Sequence, residues 1–177
     1  MRTLSFSVEQ DEFAASVAAT VERFGAGVAV GGDRVWCELG AIGLLGIGTP
    51  DGGGTMIDLV AGMRAAGATG CQGPFLGAVL GTRILPDLAG AIADGTAHVS
   101  LVAGGVAAWA ADATAFVAID DAGDAARVEV ISSTPFDTLA HEPWARVDVR
   151  RPEPLAVTAH DLAAVELSRA AWLVGAA

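Results

Sequence analysis

The feature that most constrains this chain is a change of hydrophobic period near Thr96. Before it, apolar residues recur every three to four positions, as on one face of a helix; after it they come in short, partly alternating runs, as in strands. Phe13, Val17, Val21 and Phe24 form one helical stripe, opened by a capping box of Ser7 with Gln10. "GAGVAVGG" closes that helix as a loop. Asp33 is placed to N-cap the next, which buries Trp36, Leu39 and Ile42. Pro50, Asp51 and three glycines break the chain before a second capping box, Thr55 with Asp58. Pro74 fits the first turn of a helix running to Leu85, and Pro86 opens a short helix ending at Gly95.

Beyond Thr96, "HVSLVAG", "ATAFVAI", "RVEVIS" and "WARVDVR" are rich in Val, Ile and aromatics, with turn-forming residues between them. They predict an antiparallel set of strands over about residues 97–157. Thr158 with Asp161 is a third capping box, and Val157 with Leu162 a hydrophobic staple, for a helix carrying Leu162, Val165, Arg169, Trp172 and Leu173. The expected fold class is α+β. A helical domain spans 1–95, a small antiparallel β-domain 96–157, and a single helix 158–177. That helix stops at Ala177 with no cap and reads as interrupted, and its stripe of Leu162, Val165, Trp172 and Leu173 is expected to dock on a partner.

Composition narrows the partners. Of the 177 residues 53% are apolar, with 23 glycines besides; ordinary domains reach about 45–50% with glycine counted. The excess predicts an oligomer. The net charge is −11, and the ten basic residues are scattered arginines, which argues against nucleic acid and anionic membranes as partners. No apolar run approaches the roughly 18 residues of a membrane span, and the N-terminus has no apolar signal core. Cys37 and Cys71, without metal-ligand spacing, read as core residues of a cytoplasmic protein.

Self-contained chemistry is hard to find. His98, His141 and His160 stand at no metal-binding spacing from one another or from a cysteine. No serine lies in a G-x-S-x-G elbow. "DGGGT" lacks the lysine and the preceding strand of a phosphate loop, so it reads as a turn between helices. Asp112, Asp120, Asp121 and Asp124 read as a solvated acidic edge.

The stretch from Trp36 to Gly67 nevertheless resembles the N-terminal domain of the acyl-CoA dehydrogenase family, in its actinobacterial form. The matching residues are Trp36, Glu38, Leu39, Gly40, Gly43, Leu44, Pro50, Gly52, Gly53, Asp58 and Gly67. "FSVEQDEFAASVAATVERF" is similar to the family's opening helix and "GPFLGAVLGTRIL" to a later one. "PWARVDVRRPEPLAVTAHDLAAVELSRAAWLVGAA" resembles the end of its middle β-domain and the first helix of its C-terminal bundle.

The resemblance implies an oxidoreductase fold with FAD and a hydrophobic acyl thioester between the helical and β-domains. It also implies what is missing: the family's catalytic carboxylate and arginine flavin contacts lie in bundle helices this chain does not carry. The family's "T-E-P-x-x-G-S-D" segment corresponds to "VSLVAGGVAAW", which has no Thr-Glu-Pro and no Ser-Asp. Ser100, Val102 and Gly104 are then the candidate flavin contacts, with no catalytic residue and no metal. FAD is expected only in a complex, with none on the isolated chain. The implied role is a truncated subunit, homo- or hetero-oligomeric, beside a complete acyl-CoA dehydrogenase-like chain. The alternative is a flavin-free dehydratase, isomerase or cyclase on an acyl or polyketide-like substrate, using His98, Ser100, Asp112 or His141. A non-catalytic binding remnant is the third reading.

Overall fold

The computed structural model describes residues 5–24, 33–49, 52–138 and 143–177, with only the backbone of Asp33 and Arg151. Pro50, Asp51, His141 and the whole "GAGVAVGG" loop lie outside the described residues. Helices α1 (Val8–Phe24), α2 (Asp33–Ala41), α3 (Met56–Ala68), α4 (Phe75–Ile84) and α5 (Ala89–Ala93) come first. Strands β1 (Val99–Ala103), β2 (Val106–Ala108), β3 (Ala115–Ile119), β4 (Ala125–Phe136) and β5 (Trp144–Leu155) follow, and then helix α6 (Ala159–Ala176). None of these helices is long and apolar enough to cross a membrane.

The three capping boxes form as their spacing predicts. The Thr55 and Thr158 hydroxyls accept from the backbone N–H of Asp58 and Asp161, whose carboxylates accept the cap N–H groups in return. Ser7 and Gln10 exchange the same pair of bonds. α2 begins at Asp33. The turn ahead of α3 puts Gly53 and Gly54 at φ of 64° and 69°, a region open to glycine at little steric cost.

The strands close into a barrel in the order β1-β2-β5-β4-β3. Four of the five pairings are antiparallel, as expected, but β1 and β3 run parallel, Val99 level with Ala115. The cause is β2, a three-residue strand the sequence reading passed over. It turns the chain back through a tight hairpin, and the 3₁₀ turn Ala110–Asp112 returns it to the other edge of β1 in the original direction.

β1 divides two cores. Val99 and Leu101 face the helices, whose core includes Val17, Leu39, Leu59, Met63 and Leu80. Val102, on the alternate face, joins Ala107, Val128, Ala145 and Val147 inside the barrel. α4 lies so close to β1 that a Cβ on Gly77 would stand 1.8 Å from the Val99 carbonyl oxygen. Arg83 ties α4 to the loop before α3: one Nη donates to the Val79 carbonyl, and the other to that of Ile47 at 3.0 Å. Partial burial lowers its pKa, against the attraction of Asp161.

α6 corrects an expectation. Its stripe of Val165 and Trp172 does not await a partner but is turned into the chain's own body, against α3 and α4. Val165 is 8% exposed. The approach is close because Gly67 sits under the Trp172 carbonyl, where a Cβ would be 2.0 Å from the oxygen. Leu173, placed on the same stripe by the sequence, is 53% exposed. The free face of α6 is the opposite one.

Candidate functional site

At the end of the barrel, where β4 stops and β5 starts, lies a half-open cleft of about 390 Å³, the low end of the range for small-molecule sites. Pro135, Phe136, Pro143 and Trp144 supply flat apolar walls, Ala111 and Ala145 line it further, and Ser133, Asp137 and Thr138 add polar groups. Register explains the grouping: Phe136 pairs with Trp144 and Pro135 with Ala145, so both Pro-aromatic steps meet across one ladder. The Arg146 guanidinium stands 5.9 Å from the Phe136 ring centroid, a cation–π contact that fixes the ring from outside.

Trp109 braces the site from behind. It holds a left-handed backbone (φ 61°, ψ 29°), the single non-glycine positive φ among the described residues. Its side chain is 5% exposed, and its backbone N–H donates to the Pro143 carbonyl at 2.7 Å. Strain of this kind costs of order 1–3 kcal/mol and persists where the surroundings enforce it. Here it aims the 3₁₀ turn, with Ala111, at the cleft.

The residues singled out from the sequence occupy other places. The Ser100 side chain is 1% exposed, and its hydroxyl donates to the Ala108 carbonyl at 2.5 Å, bracing β1 against β2. Val102 fills the barrel. Gly104 and Gly105, at φ of 57° and 76°, form the two-residue hairpin turn that needs positive φ at both positions. Around Gly104 a Cβ would meet nothing within 4 Å. The Ser100 and Val102 side chains are thus turned into the fold. The Gly104 turn is the part of that trio left open to a ligand.

His98 stands edge-on to Trp36, ring centroids 5.7 Å apart, and its backbone N–H donates to the Thr114 hydroxyl. Asp112 is exposed on its turn. No hydrogen bond joins any two of His98, Ser100 and Asp112. Among the described residues no three His, Cys, Asp or Glu groups gather as a metal site. Cys71 is fully buried, and its thiol is pushed up to about 12 by that burial, so it packs and does not react. On the outer arm of the β4–β5 ribbon, Arg150 pairs with Glu129 at 2.7 Å and lowers its pKa by hydrogen bonding.

What the cleft offers is an apolar, aromatic surface with one exposed carboxylate, Asp137, at its mouth. It can seat a flat apolar group. The described residues supply no paired acid and base. Sequence reasoning missed it, although "PF" and "PW" flank the same hairpin and could have flagged two aromatic walls.

No protein-family model and no curated protein matches the chain. Solved structures do. The ChsE4–ChsE5 complex from Mycobacterium tuberculosis matches with a TM-score of 0.69 at 18% identity, over 98% of this chain and 65% of that one. A variant of the Tcur3481–Tcur3483 steroid ACAD gives 0.74 at 14% identity, over 94% and 63%. The nitrososynthase from Micromonospora carbonacea var. africana gives 0.59 at 17%, over 97% and 60%. The chain thus spans between 60% and 65% of the length of these structures. What is shared at such identities is architecture, and with the helical body, the barrel and α6 in this order the chain has an acyl-CoA dehydrogenase-like fold.

Proposed function

We propose that the chain is a supporting subunit of an assembly that dehydrogenates an acyl thioester with FAD, a second chain supplying the acid–base chemistry. The observation that carries this reading is the cleft: an apolar, aromatic-walled seat within an acyl-CoA dehydrogenase-like fold. Desaturation next to a carbonyl needs a base for the α-proton, and FAD, when bound, supplies the hydride acceptor. In this reading Phe136 and Trp144 pack on a flat apolar part of substrate or cofactor and exclude water. The Gly104 turn stands at the other end of β2, where the Val147 backbone N–H donates to the Gly105 carbonyl, and is not part of this seat. Two of the similar structures pair two named chains, ChsE4 with ChsE5 and Tcur3481 with Tcur3483, which supports a hetero-oligomer here. The stand-alone alternative has less support, because its candidate groups His98, Ser100 and Asp112 are not paired.

The test is spectroscopic. The chain purified alone should be colourless. Co-expressed with a complete acyl-CoA dehydrogenase-like subunit, it should co-purify with a flavin band and acyl-CoA-dependent dye reduction. A stoichiometric flavin band and turnover from the isolated chain would refute the need for a second chain.

A further inference from the structure

The groups around the cleft are one-sided in what they can hold. Pro135 and Pro143 carry no backbone N–H, and the Asp137 carboxylate can only accept. Side-chain donors are confined to the Ser133 and Thr138 hydroxyls and the Trp144 indole, none of them charged. Among the described residues nothing hydrogen-bonds or ion-pairs with Asp137, which is exposed at the mouth. A carboxylate or phosphate entering here would meet like charge and few N–H groups. A cation would meet a spare acceptor of opposite charge.

The walls agree. Phe136 and Trp144, level across the ladder, line the cleft with aromatic rings, whose faces attract positive charge. The chain already uses this attraction on one of them, the Arg146 guanidinium standing by the Phe136 ring. Arg146 itself does not line the cleft; alternation along β5 turns it to the side opposite the lining Ala145. The net charge of −11 draws cations toward the surface as a whole.

The kind of cation follows from the same residues. A metal ion needs several ligands, and among the described residues no three carboxylate, imidazole or thiol groups gather. One carboxylate beside two aromatic walls suits a single positive charge on an apolar body, that is, a protonated amine on a flat hydrocarbon group. We infer that the cleft recognises an organic cation of this class, its ammonium held between Asp137 and the rings of Phe136 and Trp144. The inference rests on the reading of the cleft as the substrate's seat, and it narrows that substrate to an acyl group bearing a basic nitrogen.

Calorimetric titration of the full chain tests this with three probes of one shape: naphthylmethylammonium, naphthylmethanol and naphthoate. The ammonium should bind about ten-fold tighter than the alcohol, the joint effect of a cation–π contact and an exposed charge pair. The carboxylate should bind more weakly than either, and added salt should erode the advantage of the ammonium. D137N should cost the ammonium about three- to five-fold and leave the alcohol unchanged, whereas W144L should weaken both. Circular dichroism should report native folding, and D137N alters an exposed group with no partner to lose. Equal binding of ammonium and alcohol, tighter binding of the carboxylate, or discrimination unchanged in D137N would overturn the inference and leave the apolar seat standing. Binding of no probe, or binding indifferent to W144L, would overturn the seat as well. Absence of flavin-dependent turnover in the co-expressed complex would instead strike the acyl-thioester reading alone.

Discussion

The indole Nε1 of Trp172 donates to the backbone carbonyl of Cys71 at 2.9 Å, joining α6 to the loop after α3 across 101 residues of sequence. This bond, with Gly67 beneath the Trp172 backbone, fixes α6 on the body. Replacing Trp172 by Phe removes the bond and part of the packed ring, so stability should fall by about 1–2 kcal/mol. Replacing it by Ala should cost about 3 kcal/mol. Urea midpoints of the two variants check both figures.

Gly77 and Gly67 should tolerate no side chain. A methyl at either position enters a backbone carbonyl, of Val99 or of Trp172. Neither carbonyl can move as a flexible side chain would. Alanine at either site should cost about 3 kcal/mol, the upper part of the overpacking range, read as a lowered thermal midpoint. A loss below about 0.5 kcal/mol at Gly77 would mean that α4 is not held against β1 as described.

The Thr55 hydroxyl depresses the pKa of Asp58 by hydrogen bonding. A carboxyl whose folded pKa lies below its unfolded one adds stability above the unfolded value, about 4. That contribution is lost as pH falls through the folded pKa. Stability should therefore decline below about pH 4, and less steeply in Asp58→Asn, which at neutral pH should already be less stable by about 1 kcal/mol, the value of a cap. Denaturant titrations at neutral and acid pH separate the two.

Ser100 serves the barrel through its bond to Ala108, so Ser100→Ala should lower stability by about 1 kcal/mol. In the co-expressed complex its flavin content should match that of the native chain. Loss of flavin with unchanged stability would instead make Ser100 a cofactor contact.

The thiols should differ in kind. Cys71 is buried with a raised pKa, whereas Cys37 is partly exposed. At pH 8 a thiol reagent should modify Cys37 first, and Cys71 only after denaturant is added. Mass spectrometry of partly modified protein shows the order.

Helix starts were readable in the sequence because a capping box is a local matter, a hydroxyl and a carboxylate or amide three residues apart. The strands after Thr96 were readable by period. β2 was not, because "VAA" has no pattern of its own and becomes a strand only between β1 and β5; the parallel β1–β3 pairing went with it. The stripe of α6 was recognised as apolar but assigned to the wrong neighbour. Periodicity says that a face is covered, and whether by α3 or by another chain depends on where Gly67 lets the helices meet. The cleft draws on residues more than thirty apart in sequence, from Ala111 to Ala145, which the β4–β5 register and the Trp109–Pro143 backbone bond assemble. His141, a candidate group from the sequence, lies outside the described residues.

β1 is a wall with a core on either side, Val99 and Leu101 to the helices, Val102 to the barrel. A hinge between the two bodies would have to tear one of these cores open. The β4–β5 ribbon is held at both ends as well, by β3 at Ala125–Val128 and by β2 at Trp144–Arg146. The cleft therefore sits on a ladder that β2 ties back to this wall.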